Sequence, residues 1–154
     1  MNTPYAIMDI VPLSVATLLG TTMITFTSLG FSSLRRSPFL EYEMMNNIFS
    51  NLGIGWPLGI ILAWISHYFV GLLMVLFLAM LHLCQHVPLQ LSAAVFIGIV
   101  LGILNILVWK CLMVIFQLKV KLPFYYYLPQ FLVNPLLFTL ITFFIFRTYA
   151  LHYS

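Results

Sequence analysis

Charged side chains are scarce in this chain. Only 6% of its 154 residues are Asp, Glu, Lys or Arg, whereas an ordinary soluble domain has about 25%. Six cations and three anions cannot cover the surface of a soluble fold of this size, so that class is excluded. An intrinsically disordered chain is excluded as well, because 63% of the residues are hydrophobic and disorder requires low hydrophobicity. The composition therefore predicts a membrane protein.

Cysteine and catalytic motifs are equally sparse. Cys84 and Cys111 are the two cysteines, and they form neither a CxxC motif nor a disulfide framework. The sequence shows no Ser-His-Asp set, no paired intramembrane aspartates, no HExxH and no glycine-rich phosphate loop. The sequence therefore favours a protein without enzymatic activity over an unrecognised membrane enzyme. The net charge of +3 is small and scattered, so no nucleic-acid partner is predicted.

Long apolar runs, in contrast, dominate the sequence. Four stretches, at about 10–31, 57–83, 91–118 and 128–150, exceed the roughly 20 helical residues needed to cross a bilayer. None has the cationic start and small-residue cleavage site of a secretory signal. We predict an all-α integral membrane four-helix bundle that forms one domain over 1–154, with the lipid bilayer as its first partner.

The few cations predict an orientation. Arg35 and Arg36 follow the first span, Lys119 and Lys121 follow the third, and Arg147 stands at the opposite side. By the positive-inside rule, both termini face the non-cytoplasmic side. We expect a bacterial inner membrane, because short apolar chains of this kind are most prevalent there.

The long loop between the first two spans carries an amphipathic pattern. Ser37-Pro38 is typical of a helix start, and Leu40, Met44, Ile48 and Leu52 then recur every four residues. Acidic and amide side chains occupy much of the remaining surface. This pattern predicts an interfacial helix at about 38–52 along the inner membrane surface. Its apolar face either rests on lipid headgroups or docks another subunit.

Small and polar residues mark the faces that helices bury in a membrane. In the third span, Gly98, Gly102 and Asn105 follow one another at steps of four and three residues. In the second span, Trp64, His67 and Gly71 share a face. We expect these positions to face the interior of the bundle.

A polar layer is predicted near the middle of the bilayer. At about 1.5 Å per residue, His67 lies roughly 15 Å from the inner end of its span and Asn105 roughly 20 Å. Thr21 and Thr139 fall near the same level. His67 is a candidate functional residue, because ionisable residues inside a membrane are rare. It is either a neutral imidazole bonded to Asn105 or a threonine hydroxyl, a proton or substrate site, or a haem or metal ligand.

Lys110 is the other intramembrane charge. It lies about eight residues inside the third span, on the same side as Glu41 and Glu43. We expect Lys110 either to reach toward the inner surface or to pair with one of these glutamates.

Three histidines are weak candidates for a metal site. His82 and His86 are four residues apart, a spacing that places two ligands on one helix face. His152 is predicted on the same side of the membrane, so a zinc or copper site is geometrically allowed. For haem b the sequence offers a single mid-bilayer histidine, His67, and no cofactor is predicted.

Two short motifs stand in the first half of the chain: Gly20-Thr21-Thr22-Met23-Ile24-Thr25 in the first span and Trp64-x-x-His67-x-x-x-Gly71 in the second. Through them, roughly the first half of the chain resembles small bacterial four-span membrane proteins of unknown function. Such proteins carry a histidine in their fourth span, where Asn134 stands here. The resemblance implies a four-span fold and no particular activity.

Three functions fit these features. The first is an accessory or scaffold subunit of a larger membrane complex, with other membrane subunits or copies of itself as partners. The second is a small oligomeric transporter or channel with a polar midplane site around His67. The third is a haem- or metal-binding redox subunit.

Overall fold

Helices account for the regular structure of this chain. The computed structural model describes residues 7–35, 40–118 and 123–152, and no strand occurs in those ranges. The helices are α1 (Ile10–Arg35), α2 (Glu41–Asn51), α3 (Leu58–Gln85), α4 (Leu91–Ile115) and α5 (Leu128–His152), the last preceded by a 3-10 turn, Phe124–Tyr127. The all-α prediction is confirmed.

Four of these helices are long and apolar enough to cross a membrane. They cover Ile10–Leu34, Leu58–Gln85, Leu91–Ile115 and Phe124–His152, which suggests a membrane protein. Their ends differ from the predicted spans by only a few residues. Ser37-Pro38, the predicted start of the interfacial helix, and the cations Arg36, Lys119 and Lys121 lie outside the described residues. The orientation of the termini therefore stays a prediction.

The four long helices pack in the order α3, α1, α5, α4. α1 packs on both α3 and α5, and α5 packs on both α1 and α4. α3 and α4, at the two edges of this layer, make little direct contact. The layer curves enough for α3 to touch α5, so a gap remains between the edge helices.

Glycines allow α1 and α4 to pack closely against α5. A Cβ added to Gly20 of α1 would lie 2.7 Å from the Phe138 ring of α5. A Cβ on Gly98 or Gly102 of α4 would lie 2.8 Å from Leu136 or Leu132 of α5. Since real Cβ atoms do not approach this closely, α4 and α5 can pack this way only with glycine at these positions. The predicted inward face of the third span is confirmed.

The half of the bundle remote from α2, here called the far half, has an apolar core. Val75 and Leu78 of α3 pack with Phe138, Phe143 and Phe146 of α5, and all five are buried. Apolar packing therefore dominates this half, which also buries the hydroxyl of Thr142.

The fifth helix, α2, lies between the first two spans, as predicted, but it buries its apolar face within this chain. Met44 and Ile48 are buried in a cluster with Trp109 of α4, Tyr127 of the 3-10 turn and Phe131 of α5. Met44 and Ile48 of the predicted stripe are therefore covered by the protein's own helices, whereas Leu52, at the end of the stripe, is 61% exposed. The reason is the gap between α3 and α4, whose end is wide enough to receive these side chains.

α2 also binds both edge helices directly. The Tyr42 ring stacks on Trp64 of α3, with centroids 4.3 Å apart. At the other end of α2, Asn51 Nδ2 donates to the carbonyl of Phe116, just after α4, at 2.8 Å. α2 therefore bridges α3 and α4 and closes one end of the gap between them. We call this part of the bundle the α2 half.

Candidate functional site

A polar cavity lies in the α2 half, between α3 and α4. Its volume is about 90 Å³, and a single water requires about 10–15 Å³ of such space. Its polar lining comes from every helix: Thr21, Glu41, His67, Asn105 and Asn134. Among four helices of membrane-spanning length, a cavity with this lining is the leading candidate for a functional site.

Glu41 supplies the carboxylate of the cavity wall. It is the first residue of α2, and it is only 8% exposed. Ser28 Oγ of α1 donates to Glu41 Oε1 at 2.9 Å, and Asn134 Nδ2 of α5 donates to the same oxygen. Gln130 Nε2 adds a longer bond to that oxygen at 3.4 Å. Three donors from two spans therefore converge on one carboxylate oxygen.

The electrostatics of Glu41 follow from these neighbours. Burial raises the pKa of Glu41 above its ordinary value of 4.5, because desolvation disfavours the charged form. The hydrogen bonds from Ser28, Gln130 and Asn134 act in the opposite direction, since they favour the carboxylate. Within the described ranges no Lys or Arg pairs with Glu41. Burial and hydrogen bonding therefore act in opposite directions on this carboxyl group.

His67 lies on α3, facing α1. Its Nε2 is 3.2 Å from Thr25 Oγ1, and the same hydroxyl donates to the carbonyl of Thr21 at 3.1 Å. Because a hydroxyl has one proton, Nε2 must carry the hydrogen in the bond with Thr25. The imidazole therefore acts as a donor to α1 and lines the cavity with the rest of its ring.

Asn105 stabilises a defect in α5. Pro135 lies inside that helix and has no N–H for the carbonyl of Phe131, four residues earlier. Asn105 Nδ2 of α4 donates to this carbonyl at 3.1 Å. An unpaired backbone carbonyl is costly inside a membrane, so this bond has a clear structural role. Asn105 also lines the cavity.

Two cavity residues keep buried polar atoms without a hydrogen-bond partner. They are Thr21 Oγ1 and Asn134 Oδ1. Such atoms cost about 1–3 kcal/mol each when they stay unpaired. Thr21 Oγ1 faces Gly71 of α3, where an added Cβ would lie only 2.2 Å from it. The absence of a side chain at Gly71 therefore leaves room for the Thr21 hydroxyl.

Apolar side chains complete the wall and open it to the side. Ile24, Met45, Val70 and Met74 line the cavity. Val70 is 44% exposed on the outer surface of α3. Because α3 and α4 barely touch, the cavity communicates with the surroundings of the bundle through this gap. The four helices around this gap are long and apolar enough to cross a membrane.

The structure brings together three of the four predicted midplane residues. His67, Asn105 and Thr21 line one cavity, whereas Thr139 does not and instead donates to the carbonyl of Pro135 at 2.8 Å. The polar partner of His67 is Thr25, one of the threonine hydroxyls that the sequence allowed, rather than Asn105.

Sequence reasoning missed the roles of Glu41 and Asn134. Glu41 precedes Met44 by three residues and Ile48 by seven, so it shares their helix face. That spacing was the available signal, but an isolated glutamate is ordinarily assigned to a polar surface. Nothing in the sequence indicates that Asn134, 93 positions away, meets it.

The predicted pairing of Lys110 with a glutamate is not formed among the described residues. Lys110 is exposed on α4, whereas Glu41 is bonded to Ser28, Gln130 and Asn134. The physical reason is the position of α2, which inserts Glu41 between α1 and α5 while Lys110 lies on the outer surface of α4.

The predicted three-histidine site is not assembled either. His82 Nδ1 is bonded to the carbonyl of Val87 at 2.6 Å. α3 ends at Gln85, and His86 adopts a left-handed backbone conformation, so the two histidines do not continue one helix face. In the described ranges, no three His, Cys, Asp or Glu side chains are grouped to hold a metal ion.

Haem does not fit the cavity in this conformation. The cavity has about 90 Å³, far below the roughly 300–1,000 Å³ of ordinary cofactor and ligand pockets. The Nε2 atom of His67 is also occupied by Thr25. A haem- or metal-binding role stays a prediction, and no step is derived through such a group.

Comparison with protein-family models, with curated proteins and with solved structures found no match for this chain. The resemblance to small bacterial four-span proteins stays a prediction. The cavity and its side chains therefore carry the functional argument.

Proposed function

We propose that this chain is a small membrane transporter whose substrate site is the polar cavity between α3 and α4. The observation that carries the proposal is Glu41, a carboxyl group buried in the cavity wall with no basic partner among the described residues. Burying an ionisable group is costly, so a carboxyl group of purely structural purpose is poorly explained where an uncharged amide would accept the same bonds.

The shape of the interior favours a carrier over a channel. The cavity extends from Glu41 to Met74, and the far half beyond it is filled by the buried side chains of Val75, Leu78 and Phe138. Among the described residues, these three side chains are fully buried and close the interior at that level. A solute bound near Glu41 would therefore cross only if α3 and α4 rearranged, as in alternating access.

Flux measurements in proteoliposomes test this proposal. Purified protein is reconstituted, and radiolabelled small organic cations, anions and neutral solutes are supplied outside vesicles with and without a pH gradient. We expect protein-dependent uptake of at least one solute class. Glu41→Gln should abolish that uptake, because it removes the charge and keeps the Oε1 acceptor.

Glu43→Gln is the matched control. It makes the same change two residues away, at a position that does not line the cavity. Unchanged flux is expected for this variant, with an intermediate loss for His67→Ala, which removes part of the lining. Absence of protein-dependent flux in every class, or full flux in Glu41→Gln, would reject the proposal.

The accessory-subunit hypothesis makes a competing prediction. It rests on the shortage of catalytic motifs, the very apolar helix faces and the amphipathic helix, and Met44 and Ile48 of that helix are covered within the chain. Extraction in mild detergent at native abundance, followed by mass spectrometry, distinguishes the two hypotheses. Defined partners at fixed stoichiometry would favour an accessory subunit, whereas a homo-oligomer would favour transport.

A further inference from the structure

The charge of the cavity lining determines whether a cationic or an anionic ligand is favoured. Glu41 is the acidic group, and no Lys or Arg is among the lining residues. The other polar side chains of the lining are a histidine, a threonine and two asparagines, so Glu41 is its one carboxyl group. An anion would meet a carboxylate with no counter-charge, whereas a cation would supply the missing partner.

The hydrogen-bonding capacity of the cavity wall indicates which kind of cation is favoured. Thr21 Oγ1 and Asn134 Oδ1 have no partner, and each accepts hydrogen bonds. A primary ammonium has three N–H donors, whereas a quaternary ammonium has none. The wall therefore favours a primary amine over a methylated one, and the Trp109 ring in the lining adds an aromatic surface suited to a cation.

The size and opening of the cavity determine where the rest of such a ligand lies. Its volume of about 90 Å³ is smaller than the roughly 150 Å³ cavity that holds one benzene molecule. An ammonium and the first few carbons therefore fit, and a longer chain must leave through the gap between α3 and α4. Half-exposed Val70 and partly buried Met74 form an apolar exit toward the bilayer.

We propose that the cavity binds the ammonium head of a primary-amine amphiphile at Glu41, with the apolar chain leaving between α3 and α4 past Val70. This assignment rests on the proposed function, because it names the substrate class of the same cavity. The ligand enters sideways from the bilayer and need not cross the α2 helix. A free long-chain amine and the ethanolamine head of a phospholipid share this chemistry.

Binding of radiolabelled decylamine to the protein in phosphatidylcholine nanodiscs tests the inference. Empty nanodiscs give the partitioning background, and saturable binding near one molecule per chain is expected. Decyltrimethylammonium, decanol and decanoate serve as unlabelled competitors of equal chain length. We expect decylamine to compete about tenfold better than decyltrimethylammonium or decanol, because charge-assisted hydrogen bonds are the stronger ones. Decanoate should not compete.

Two pairs of variants locate the site. Glu41→Gln should weaken decylamine binding at least about tenfold, and Glu43→Gln should leave it unchanged. Val70→Phe should obstruct the exit while Glu41 stays intact. Val108→Phe is its control, since Val108 is 54% exposed on α4 and does not line the cavity. Val70 is half-exposed, so this variant folds even if Glu41→Gln does not.

The source of the amine is distinguished by lipid composition. If a phospholipid head is the native occupant, nanodiscs containing phosphatidylethanolamine will weaken decylamine binding in the wild type. If a free amine is the native occupant, the affinity will be the same in both lipids. Either result supports a primary-amine site.

The inference and the proposed function can fail separately. Equal competition by decanol and decylamine, or undiminished binding in both Glu41→Gln and Val70→Phe, overturns the amine assignment. If flux of another solute class still depends on Glu41 in that case, the transporter proposal stands. If decylamine binds at Glu41 but no solute class shows Glu41-dependent flux, the site stands and the transporter proposal falls.

Discussion

The two halves of the bundle are held together by different forces. In the far half, aromatic and aliphatic side chains such as Phe138, Phe143 and Leu78 are fully or almost fully buried against one another. In the α2 half, hydrogen bonds join Glu41, Ser28 and Asn134 around an open cavity. Since lipid is as apolar as leucine, the far half depends on close packing rather than on exclusion of water.

This contrast separates stability from function. The far half consists mostly of packed apolar side chains, although Thr142 Oγ1 is buried there without a partner and a cavity of about 100 Å³ lies beside Gln90 and Arg147. The α2 half holds a cavity and buried polar atoms without partners, both of which cost stability. We infer that the far half provides the stability on which the α2 half depends, and the following predictions test that division in order of decreasing effect.

Removal of a large ring from the far half should have the largest effect on stability. Phe138 is 0% exposed and packs on Gly20. We expect Phe138→Ala to cost about 3–5 kcal/mol, measured by unfolding with sodium dodecyl sulfate in mixed micelles. Phe144→Ala, at a position of the same helix that is 72% exposed, should cost little. Similar losses in both variants would contradict the packed-core interpretation.

A methyl group added at the boundary of the two halves should affect both stability and binding. In Gly71→Ala the new Cβ would lie 2.2 Å from Thr21 Oγ1, so Thr21 must rotate. We expect a cost of about 1–3 kcal/mol from overpacking and weaker decylamine binding. Gly30→Ala, in α1, meets nothing within 4 Å and should leave both unchanged. Tight binding in Gly71→Ala would show that Thr21 is not part of the site.

Glu41 should make the stability of the α2 half depend on pH. Its pKa is raised by burial from 4.5 in the folded chain, so the folded state binds more protons than the unfolded state above pH 4.5. The free energy of unfolding therefore falls as the pH rises from 4.5 through the folded-state pKa.

The difference between wild type and Glu41→Gln isolates this dependence, because His67, the other titratable residue lining the cavity, is common to both proteins. Unfolding midpoints measured across that pH range should converge or cross as the pH rises. Glu43→Gln should track the wild type throughout. A constant difference between wild type and Glu41→Gln would show that Glu41 titrates as it does in the unfolded chain.

Much of the far half could be predicted from local pattern, whereas the α2 half could not. Apolar length defined the spans, and the spacing of Gly98 and Gly102 identified the face of α4 that meets α5. These features are local, so the sequence contains them. The Glu41 cluster joins residues 13 and 93 positions apart through Ser28 and Asn134. Such contacts depend on how helices pack, which a single sequence does not specify.

The predicted mid-bilayer residues also show that a single sequence does not specify how the helices face one another. Depth along a helix predicted His67, Asn105 and Thr21 near one level, and all three line one cavity. Depth does not give direction around the bundle, so Thr139 at a similar level turns instead toward the backbone of its own helix. The hydrogen-bond partner of His67 also depends on which neighbouring helix its ring faces. That helix is α1, and the partner is Thr25.

The smallest predicted effect concerns Asn105, which both bonds to the backbone of α5 and lines the cavity. Asn105→Ala removes a donor to the Phe131 carbonyl and should cost about 1 kcal/mol, since such bonds in membranes average about 0.6 kcal/mol. In a Pro135→Ala background, residue 135 regains an N–H for that carbonyl, so the same change should cost less. The coupling in this double-mutant cycle, measured by detergent unfolding, isolates the bond from other effects of the substitution. Equal costs in both backgrounds would mean that Asn105 contributes through the cavity wall alone, and its loss should then appear in decylamine binding rather than in the stability of α5.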